Sequence, residues 1–415
     1  MKFRLLLSFS LTVAAGVAHA ADDAIDRIED ALTWSTAHDR IRARLSGTLE
    51  LEEYWLPQPA QGTIYTEERR VSAPRLVLFL DAQAGSQSYF FAQSRLDRGF
   101  DPGEGRAQWR LDEYAWRITP QEDPRFNFQI GKFATVAGNW TARHLAWDNP
   151  FITAPLPYEN LTGIWDGTAA PSTETLRHWA YLDPATPGQS STTDRYRVPI
   201  IWGPSYAIGA AVSGIIAKFN YAVEIKNASL SSRPTTWNDV SGLWQNPTFS
   251  GRFGYRPDER WSLGASVSTG SFLQPSARPT LAAGTTLKDY REVVVGQDLS
   301  FAWHHWQIWA EAYEARFKIP QVGNADTFSY YLEIKYKFTP QFFSAVRWNQ
   351  QIYGQLSTRT GAAMPWGRDI WRVDFAPSYR FTPHSELKLQ YSLQAGGNGP
   401  HYYYETMAAQ FVLRF

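Results

Sequence analysis

The sequence predicts an all-β protein, namely a transmembrane antiparallel up-and-down β-barrel of about 16 strands (roughly 14 to 18), with short periplasmic turns and long outer loops. Three observations lead to this prediction. Hydrophobicity alternates with a period of two from Ile41 onward, tight turns alternate with long loops, and the apolar strand faces carry aromatic residues at both ends. A soluble β-sandwich usually has shorter strands, with a turn about every eight to twelve residues.

The N-terminus has the features of a secretory signal peptide at residues 1–20. Basic Met1–Arg4 precedes an apolar run at Leu5–Val17, and Ala18-His19-Ala20 fits the rule for cleavage between small residues. This run is too short for a spanning helix. We therefore expect cleavage near Ala20 and export.

Residues 21–40 are expected to form a short periplasmic N-terminal segment before a barrel at 41–415. Ile25, Ile28 and Leu32 recur at spacings of three and four, which is typical of a short helix. This helix could lie at the periplasmic rim or inside the pore.

The period-two segments place the strands in order. The predicted strands are 41–51, 75–83, 87–97, 108–119, 125–133, 206–212, 215–227, 248–256, 261–269, 291–302, 306–317, 328–338, 342–350, 369–381, 387–395 and 403–415. Ser213-Gly214 reads as a turn within one of these pairs. The stretch 134–203 is too long for an ordinary connection. It follows the fifth strand, so it is the third outer loop, and it either folds inward as a constriction or covers the mouth or a neighbouring subunit.

The strand Phe328–Phe338 shows why the barrel should lie in a membrane. Its even positions are all apolar or aromatic, whereas its odd positions include Glu333, Lys335 and Lys337. A shift of one residue would turn the charges toward lipid, at about 2–4 kcal/mol for each lysine near the midplane. The polar face must therefore line a water-filled lumen.

The last strand alternates in the same way and ends on an aromatic residue. Phe411, Leu413 and Phe415 share its apolar face. This ending resembles the closing strand of outer-membrane barrels, whose terminal Phe is an assembly signal. We expect this strand to pair with Ile41–Leu51, which would leave no free sheet edge.

The predicted lumen face and third loop contain the candidate site residues. Basic positions on the lumen face outnumber acidic ones by about five, which would favour anions. The candidates for the channel lumen or constriction are Arg42, Arg44, Arg110, Arg143, His144, Asp148, Arg252, Glu311, Glu333, Lys335, Arg347, Arg372 and Asp374.

Composition argues against other classes of function. The chain has no cysteine and no net charge, and its histidines and serines form neither a nucleophile elbow nor a metal-binding motif. We therefore expect no enzymatic activity, cofactor, bound metal or nucleic-acid partner.

Three short motifs resemble the phosphate-selective porin O and P family. They are Arg95–Pro102, Leu111–Trp116 and Phe128–Phe133, the last of which ends in Gly-Lys-Phe before the long loop. The resemblance implies a porin barrel with an inward third loop, and it implies a homotrimer. Members that select phosphate use dense Arg and Lys ladders, whereas the basic residues of this third loop are scattered among acids.

These observations predict a porin in the outer membrane of a Gram-negative bacterium, for passive diffusion of small polar or anionic solutes. The expected partners are outer-membrane lipid, lipopolysaccharide, the barrel-assembly machinery and the solutes themselves. Two alternatives stay open. One is a specific channel or transporter for sugars, aromatic acids or hydrophobic compounds, with Trp309, Tyr313 and Tyr331 as inward stacking surfaces. The other is a plugged structural or adhesion barrel.

Overall fold

A computed structural model describes residues 24–36, 38, 40–56, 62–64, 68–99, 107–120, 123–181, 197–396 and 403–415 of the chain. Its predicted signal peptide, residues 1–20, lies outside the described residues. The main strands are β1 (Ile41–Trp55), β2 (Arg75–Ala84), β3 (Ser88–Asp97), β4 (Gln108–Ile118), β5 (Asn127–Phe133), β6 (Ala207–Ile216), β7 (Phe219–Lys226), β8 (Thr248–Tyr255), β9 (Trp261–Ser271), β10 (Arg291–Trp303), β11 (Trp306–Ile319), β12 (Gly323–Lys337), β13 (Phe342–Tyr353), β14 (Ile370–Arg380), β15 (Ser385–Gly396) and β16 (Tyr403–Arg414).

Each main strand pairs antiparallel with the next one along the chain, and β16 pairs with β1. Two short strands, Thr33–Thr36 and Arg70–Ser72, add to β1 and complete one 18-stranded sheet. Thr48 lies opposite Arg414, and the N–H groups of Gly47 and Phe415 each donate to the other residue's carbonyl, at 2.8 and 2.9 Å. The predicted up-and-down barrel of sixteen strands is therefore confirmed, including the pairing that closes it.

The burial pattern is the reverse of that of a soluble protein. On β12, Ser329, Tyr331 and Glu333 are at most 1% exposed, whereas Phe328 and Leu332 on the opposite face are 41% and 42% exposed. The other strands repeat this arrangement, with apolar side chains outside and polar ones inside. A barrel of this kind is stable only when its outer surface is in hydrocarbon and its lumen holds polar groups or water.

Short turns join the strands at one end of the barrel, which we call the turn end, and most connections at the loop end are long. One loop-end connection is an exception, because β11 and β12 extend to Ile319 and Gly323 and leave a tight turn instead of the ten-residue loop that the sequence suggested. The positive φ angles of Gln321 and Gly323, 62° and 100°, permit this turn.

The predicted turn at Ser213-Gly214 is wrong. Both residues lie within β6, and the chain turns at Ala217, whose φ is 53°. Gly214 is needed for a close approach between strands, since a Cβ atom there would lie 1.8 Å from the Arg125 carbonyl oxygen. A glycine inside a strand often marks such an approach rather than a turn.

A β-bulge in β4 changes which residues face the lumen. The register with β3 shifts after Gln93, so that Asp112 and Glu113 both contact inward-facing groups. Opposite this region, Gly131 of the Gly-Lys-Phe motif has a φ of 143°, and a Cβ there would lie 2.1 Å from the Tyr114 carbonyl oxygen. Only glycine fits at this position, just before the long loop.

The N-terminal segment lies at the turn end of the barrel, next to β1. Residues 24–31 form a helix, and Thr33–Thr36 then pairs with the part of β1 that extends beyond Phe415. Glu29 binds Arg44 at 3.1 Å, and Asp26 contacts His384 Nε2 at 2.9 Å. Among the described residues, no helix is long and apolar enough to cross a membrane.

Candidate functional site

The third long connection, 134–206, is called loop 3, and its described residues, 134–181 and 197–206, lie inside the barrel. It leaves the loop end of β5 and returns at β6, and between them it contacts the inward faces of β11 to β15. On β11, the Glu311 carboxylate accepts hydrogen bonds from the N–H groups of Asn139 and Trp140 and from the Tyr158 hydroxyl. One buried carboxylate of β11 therefore holds three groups of loop 3 against the wall.

The next contacts of loop 3 are with charged residues of β12 and β13. Arg143 of loop 3 binds Glu333 at 2.6 Å, and its guanidinium lies 4.4 Å from the Trp309 ring centroid. Arg347, which is 0% exposed, binds the Asp374 carboxylate at 2.8 Å and donates from Nη2 to the carbonyl oxygen and hydroxyl of Thr153, both at 3.0 Å. Charged wall residues thus serve as buried anchors for the loop.

Residues 146–159 of loop 3 are held by β14 and β15. Arg372 binds Glu159 and donates to the Ala154 carbonyl oxygen, and Lys388 donates to the carbonyl oxygens of Ala146 and Asn149. Gln390 accepts from the Ile152 N–H at 2.7 Å. Loop 3 therefore lies along one side of the lumen.

The opposite wall, formed by β1 to β4, has a different charge arrangement. Its arginines, Arg75, Arg95 and Arg110, bind the carboxylates of Glu50, Glu52, Asp97 and Asp112. The Arg75 side chain is 27% exposed, whereas those of Glu50 and Glu52 are each 1% exposed. The guanidinium groups of Arg75 and Arg110 therefore project toward the lumen, and the carboxylates lie behind them, whereas Arg95 is buried among the acids.

Between this wall and loop 3 lies a cavity of about 130 Å³. Arg75, Arg95 and Arg98 line the wall side, and Trp140, His144 and Ile152 line the loop side. Because the described part of loop 3 is held mainly by β11 to β15, this gap lies on its other side, beside β1 to β3.

His144 connects loop 3 to the wall through neutral hydrogen bonds. Its Nδ1 lies 2.6 Å from the Thr141 carbonyl oxygen, and its Nε2 lies 2.5 Å from the Tyr206 hydroxyl, which in turn accepts from Gln93. The Thr141 carbonyl oxygen requires Nδ1 to donate, and the Tyr206 hydroxyl can donate to Nε2, so a neutral ring satisfies the network. Burial, reinforced by the nearby Arg95 charge, lowers the pKa of His144 to about 3.

We expect His144 to make the barrel less stable in acid. The unfolded chain takes up a proton at this residue below about pH 6.5, whereas the folded chain does so only near pH 3, so stability falls as the pH drops through this window, by up to about 1.4 kcal/mol per unit. In His144→Asn the thermal midpoint in detergent should be lower at pH 7 but should fall less between pH 6.5 and pH 4. An identical pH dependence in both proteins would contradict this interpretation.

The structure places the predicted site residues in three groups. Arg143, Glu311, Glu333, Arg347, Arg372 and Asp374 hold loop 3 against the wall. Arg110 belongs to the charge cluster of the opposite wall, where it binds Asp97 and Asp112, and His144 lines the gap that loop 3 leaves. The others lie apart from it: Arg252 pairs with Asp298, Lys335 lies 3.9 Å from the Phe343 ring centroid, Arg42 and Arg44 lie near the turn end, and the Asp148 side chain is exposed.

Several residues that shape the site were not predicted. Arg75 and Arg95 were missed, although each has the same parity as an aspartate on its own strand, Asp81 and Asp97 respectively. The inward acids Glu52, Glu113, Glu292, Asp298 and Glu386 were also missed. With these five acids and the two arginines included, the predicted basic excess of about five falls to about two.

The predicted stacking surface for solutes is also wrong. Tyr313 and Tyr331 are each 1% exposed, because loop 3 covers them. The Tyr313 hydroxyl contacts that of Tyr158 at 2.8 Å, and the Tyr331 hydroxyl accepts from Arg143 at 3.1 Å. The Arg143 guanidinium covers the face of the Trp309 ring.

No protein-family model matches the chain, and no curated protein sequence matches it. Among solved structures, OmpF of Salmonella typhi in complex with daunomycin is similar with a TM-score of 0.55 and 10% identity, covering 92% of this chain and 100% of that one. The outer membrane channel DcaP of Acinetobacter baumannii has a TM-score of 0.55 and 9% identity, with coverages of 92% and 99%.

An anion-selective porin from Comamonas acidovorans has a TM-score of 0.53 and 9% identity, covering 90% of this chain and 100% of that one. Identities this low relate the folds alone. The chain has the closed sixteen-stranded barrel fold of these porins and channels.

Proposed function

We propose that the chain is an outer-membrane porin that forms a water-filled channel for passive diffusion of small polar or anionic solutes. One observation carries this proposal: the barrel has an apolar outer surface and a charged lumen, and loop 3 narrows the lumen without filling the gap beside β1 to β3. A narrowed polar lumen in an apolar barrel allows small hydrophilic molecules to cross a bilayer. The porins and channels that share the fold support the same function and the same membrane.

The charge arrangement of the constriction supports a preference for anions. Arg75 and Arg110 are 27% and 17% exposed, whereas their partners Asp97 and Asp112 are 5% and 3% exposed. A solute in the gap therefore meets the Arg75 guanidinium before the carboxylates behind it. Although the lumen as a whole contains both signs of charge, this arrangement places a positive charge at the surface of the gap.

Planar bilayers test this function directly. The purified protein should give ohmic conductance in KCl, and a KCl gradient should produce a reversal potential whose sign indicates that chloride is more permeant than potassium. This preference should weaken at high salt, because screening shortens the range of the arginine charges. Absence of conductance would refute the porin function, and a reversal potential of cationic sign would refute the anion preference alone.

We also propose a homotrimer in contact with outer-membrane lipid and lipopolysaccharide. A trimeric form of the Vibrio cholerae outer membrane protein OmpT, with a TM-score of 0.52 and 9% identity to this chain, supports this assembly. Phe411, Leu413 and Phe415 would serve as the signal for the barrel-assembly machinery, and the 37% exposed Phe411 on the outer face supports that role. The closer relation to phosphate-selective porins rests on the sequence motifs.

A further inference from the structure

We propose that the gap beside Arg75 is a binding site for small organic anions that carry one carboxylate and an apolar body. This inference rests on the proposed channel function and specifies the solute class of the same site. Its three supports are an exposed guanidinium group, acids that are already fully bonded, and an aliphatic wall facing them.

Arg75 provides the anion-binding group. Its Nε donates to Asp97 at 2.9 Å, and its Nη1 donates to Glu50 and Glu52 at 2.8 and 3.1 Å. No acceptor among the residues that the structure describes binds Nη2, and the side chain is 27% exposed at the edge of the cavity. The guanidinium is thus fixed in position by three carboxylates, with one amino group directed away from them. Such a group is well suited to donate to a carboxylate.

The acids that line the same cavity are occupied by partners in the protein. Glu50 accepts from the Thr48 hydroxyl on Oε1 and from Arg75 on Oε2. Glu52 accepts from Gln410 and Arg75 on Oε1 and from Tyr54 on Oε2. Both oxygens of each carboxylate are bonded within the protein, and both side chains are only 1% exposed. These acids therefore neutralise the arginines from behind and present little accessible surface to a cation in the gap.

Glu159, the acid on the loop side, is bonded in the same way. Its Oε1 accepts from Arg372, and its Oε2 accepts from the Ala154 N–H at 3.1 Å. Its side chain is only 7% exposed, and its charge is balanced by the Arg372 guanidinium. The loop side therefore contributes little negative charge to the gap.

The loop side instead presents aliphatic groups. Leu145, Ala146, Ile152 and Ala154 line the cavity, and Ile152 packs against a cluster on β1 that includes Tyr54. The backbone of this face is already bonded, because the Ile152 N–H donates to Gln390 and the Ala154 carbonyl oxygen accepts from Arg372. A solute would find hydrophobic contact here.

The guanidinium on one side of the cavity and the aliphatic side chains on the other favour one chemical class of solute. The cavity volume of about 130 Å³ is comparable to the engineered apolar cavity of ~150 Å³ that holds one benzene molecule in another protein. An anion such as benzoate can direct its carboxylate toward Arg75 while its ring contacts Leu145 and Ile152. Phosphate fits less well, because its oxygens point in all directions and those facing the aliphatic wall would lose water without gaining hydrogen bonds.

Block of the KCl current in planar bilayers tests the assignment. Benzoate, acetate, benzyl alcohol and inorganic phosphate are added separately, at constant ionic strength, to the full-length protein. We expect benzoate to block at concentrations about tenfold lower than either acetate or benzyl alcohol. Acetate lacks the ring, and benzyl alcohol lacks the charge. Equal block by acetate and benzoate, or stronger block by phosphate, would overturn the proposal.

Two variants test whether benzoate blocks the channel at this cavity, and a third variant is the matched control. Arg75→Gln should weaken benzoate block about tenfold or more. Ile152→Asn should bring the affinity for benzoate down toward that for acetate, because it removes the hydrophobic contact. The control is Arg316→Gln, which removes an exposed arginine on the outer face that pairs with Asp326, and it should behave as the unmodified protein.

The outcomes separate the two proposals. If the unmodified protein conducts KCl but benzoate blocks it no better than acetate, the solute class is wrong and the porin function stands. If the protein does not conduct, both proposals fail. If Arg75→Gln does not insert, the Ile152→Asn channel decides the matter, because unchanged benzoate block in that variant contradicts the assigned site.

Discussion

A Gly47→Val variant is expected to lose most of its folded barrel. Gly47 lies where β1 meets the end of β16, and its N–H donates to the Phe415 carbonyl oxygen at 2.8 Å. A Cβ at this position would lie 2.7 Å from both the Phe415 ring and the Val77 backbone oxygen. The ring could move, but the backbone oxygen belongs to the β1–β2 ladder. We expect a cost of about 3 kcal/mol or more, concentrated at the closing strand pair.

The measurement is the fraction of heat-modifiable, folded protein in outer-membrane preparations and after refolding in detergent. Gly251→Val is the matched control, because Gly251 also lies within a strand and a Cβ there would meet only the Ala222 carbonyl oxygen, at 3.7 Å. The control should fold normally. Equal yields of the two variants would show that the Gly47–Phe415 contact does not limit closure of the barrel.

Arg347→Met should release loop 3 from the wall. The Arg347 guanidinium is 0% exposed and neutralises Asp374 while it holds the Thr153 carbonyl oxygen. Removing one member of a buried charge pair leaves the other uncompensated, at about 3–5 kcal/mol. Because sixteen strands keep the barrel closed without this contact, the loss should appear mainly as mobility of loop 3.

Single-channel recordings should therefore show a larger and noisier conductance for Arg347→Met than for the unmodified protein, with a weaker ion preference. Arg316→Met serves as the control, since the Arg316–Asp326 pair is solvent-exposed and lies outside the lumen. A quiet channel of unchanged conductance would mean that the remaining contacts, such as Arg143 with Glu333, suffice to hold the loop.

The amino-acid sequence by itself determined the class of fold. Period-two alternation fixes which side chains share a face, so Glu333 and Phe328 had to lie on opposite sides of β12 whatever the rest of the chain did. The pairing of β1 with β16 followed from the requirement that a sheet in a membrane has no free edge. Local composition was misleading at Gly214, which looks like a turn but permits a close approach of the backbone, and at 318–327, where β11 and β12 continue to a tight turn.

Only the tertiary structure decided which charges face a solute. Alternation places Arg75 and Arg347 equally in the lumen, yet loop 3 buries Arg347 and leaves Arg75 exposed. The loop is distant in sequence from both residues, and its path depends on many simultaneous contacts with β11 to β15 that no local pattern encodes. The sequence could therefore predict a polar channel, whereas the position and chemistry of its constriction depend on how an irregular segment packs against a wall formed by five separate strands.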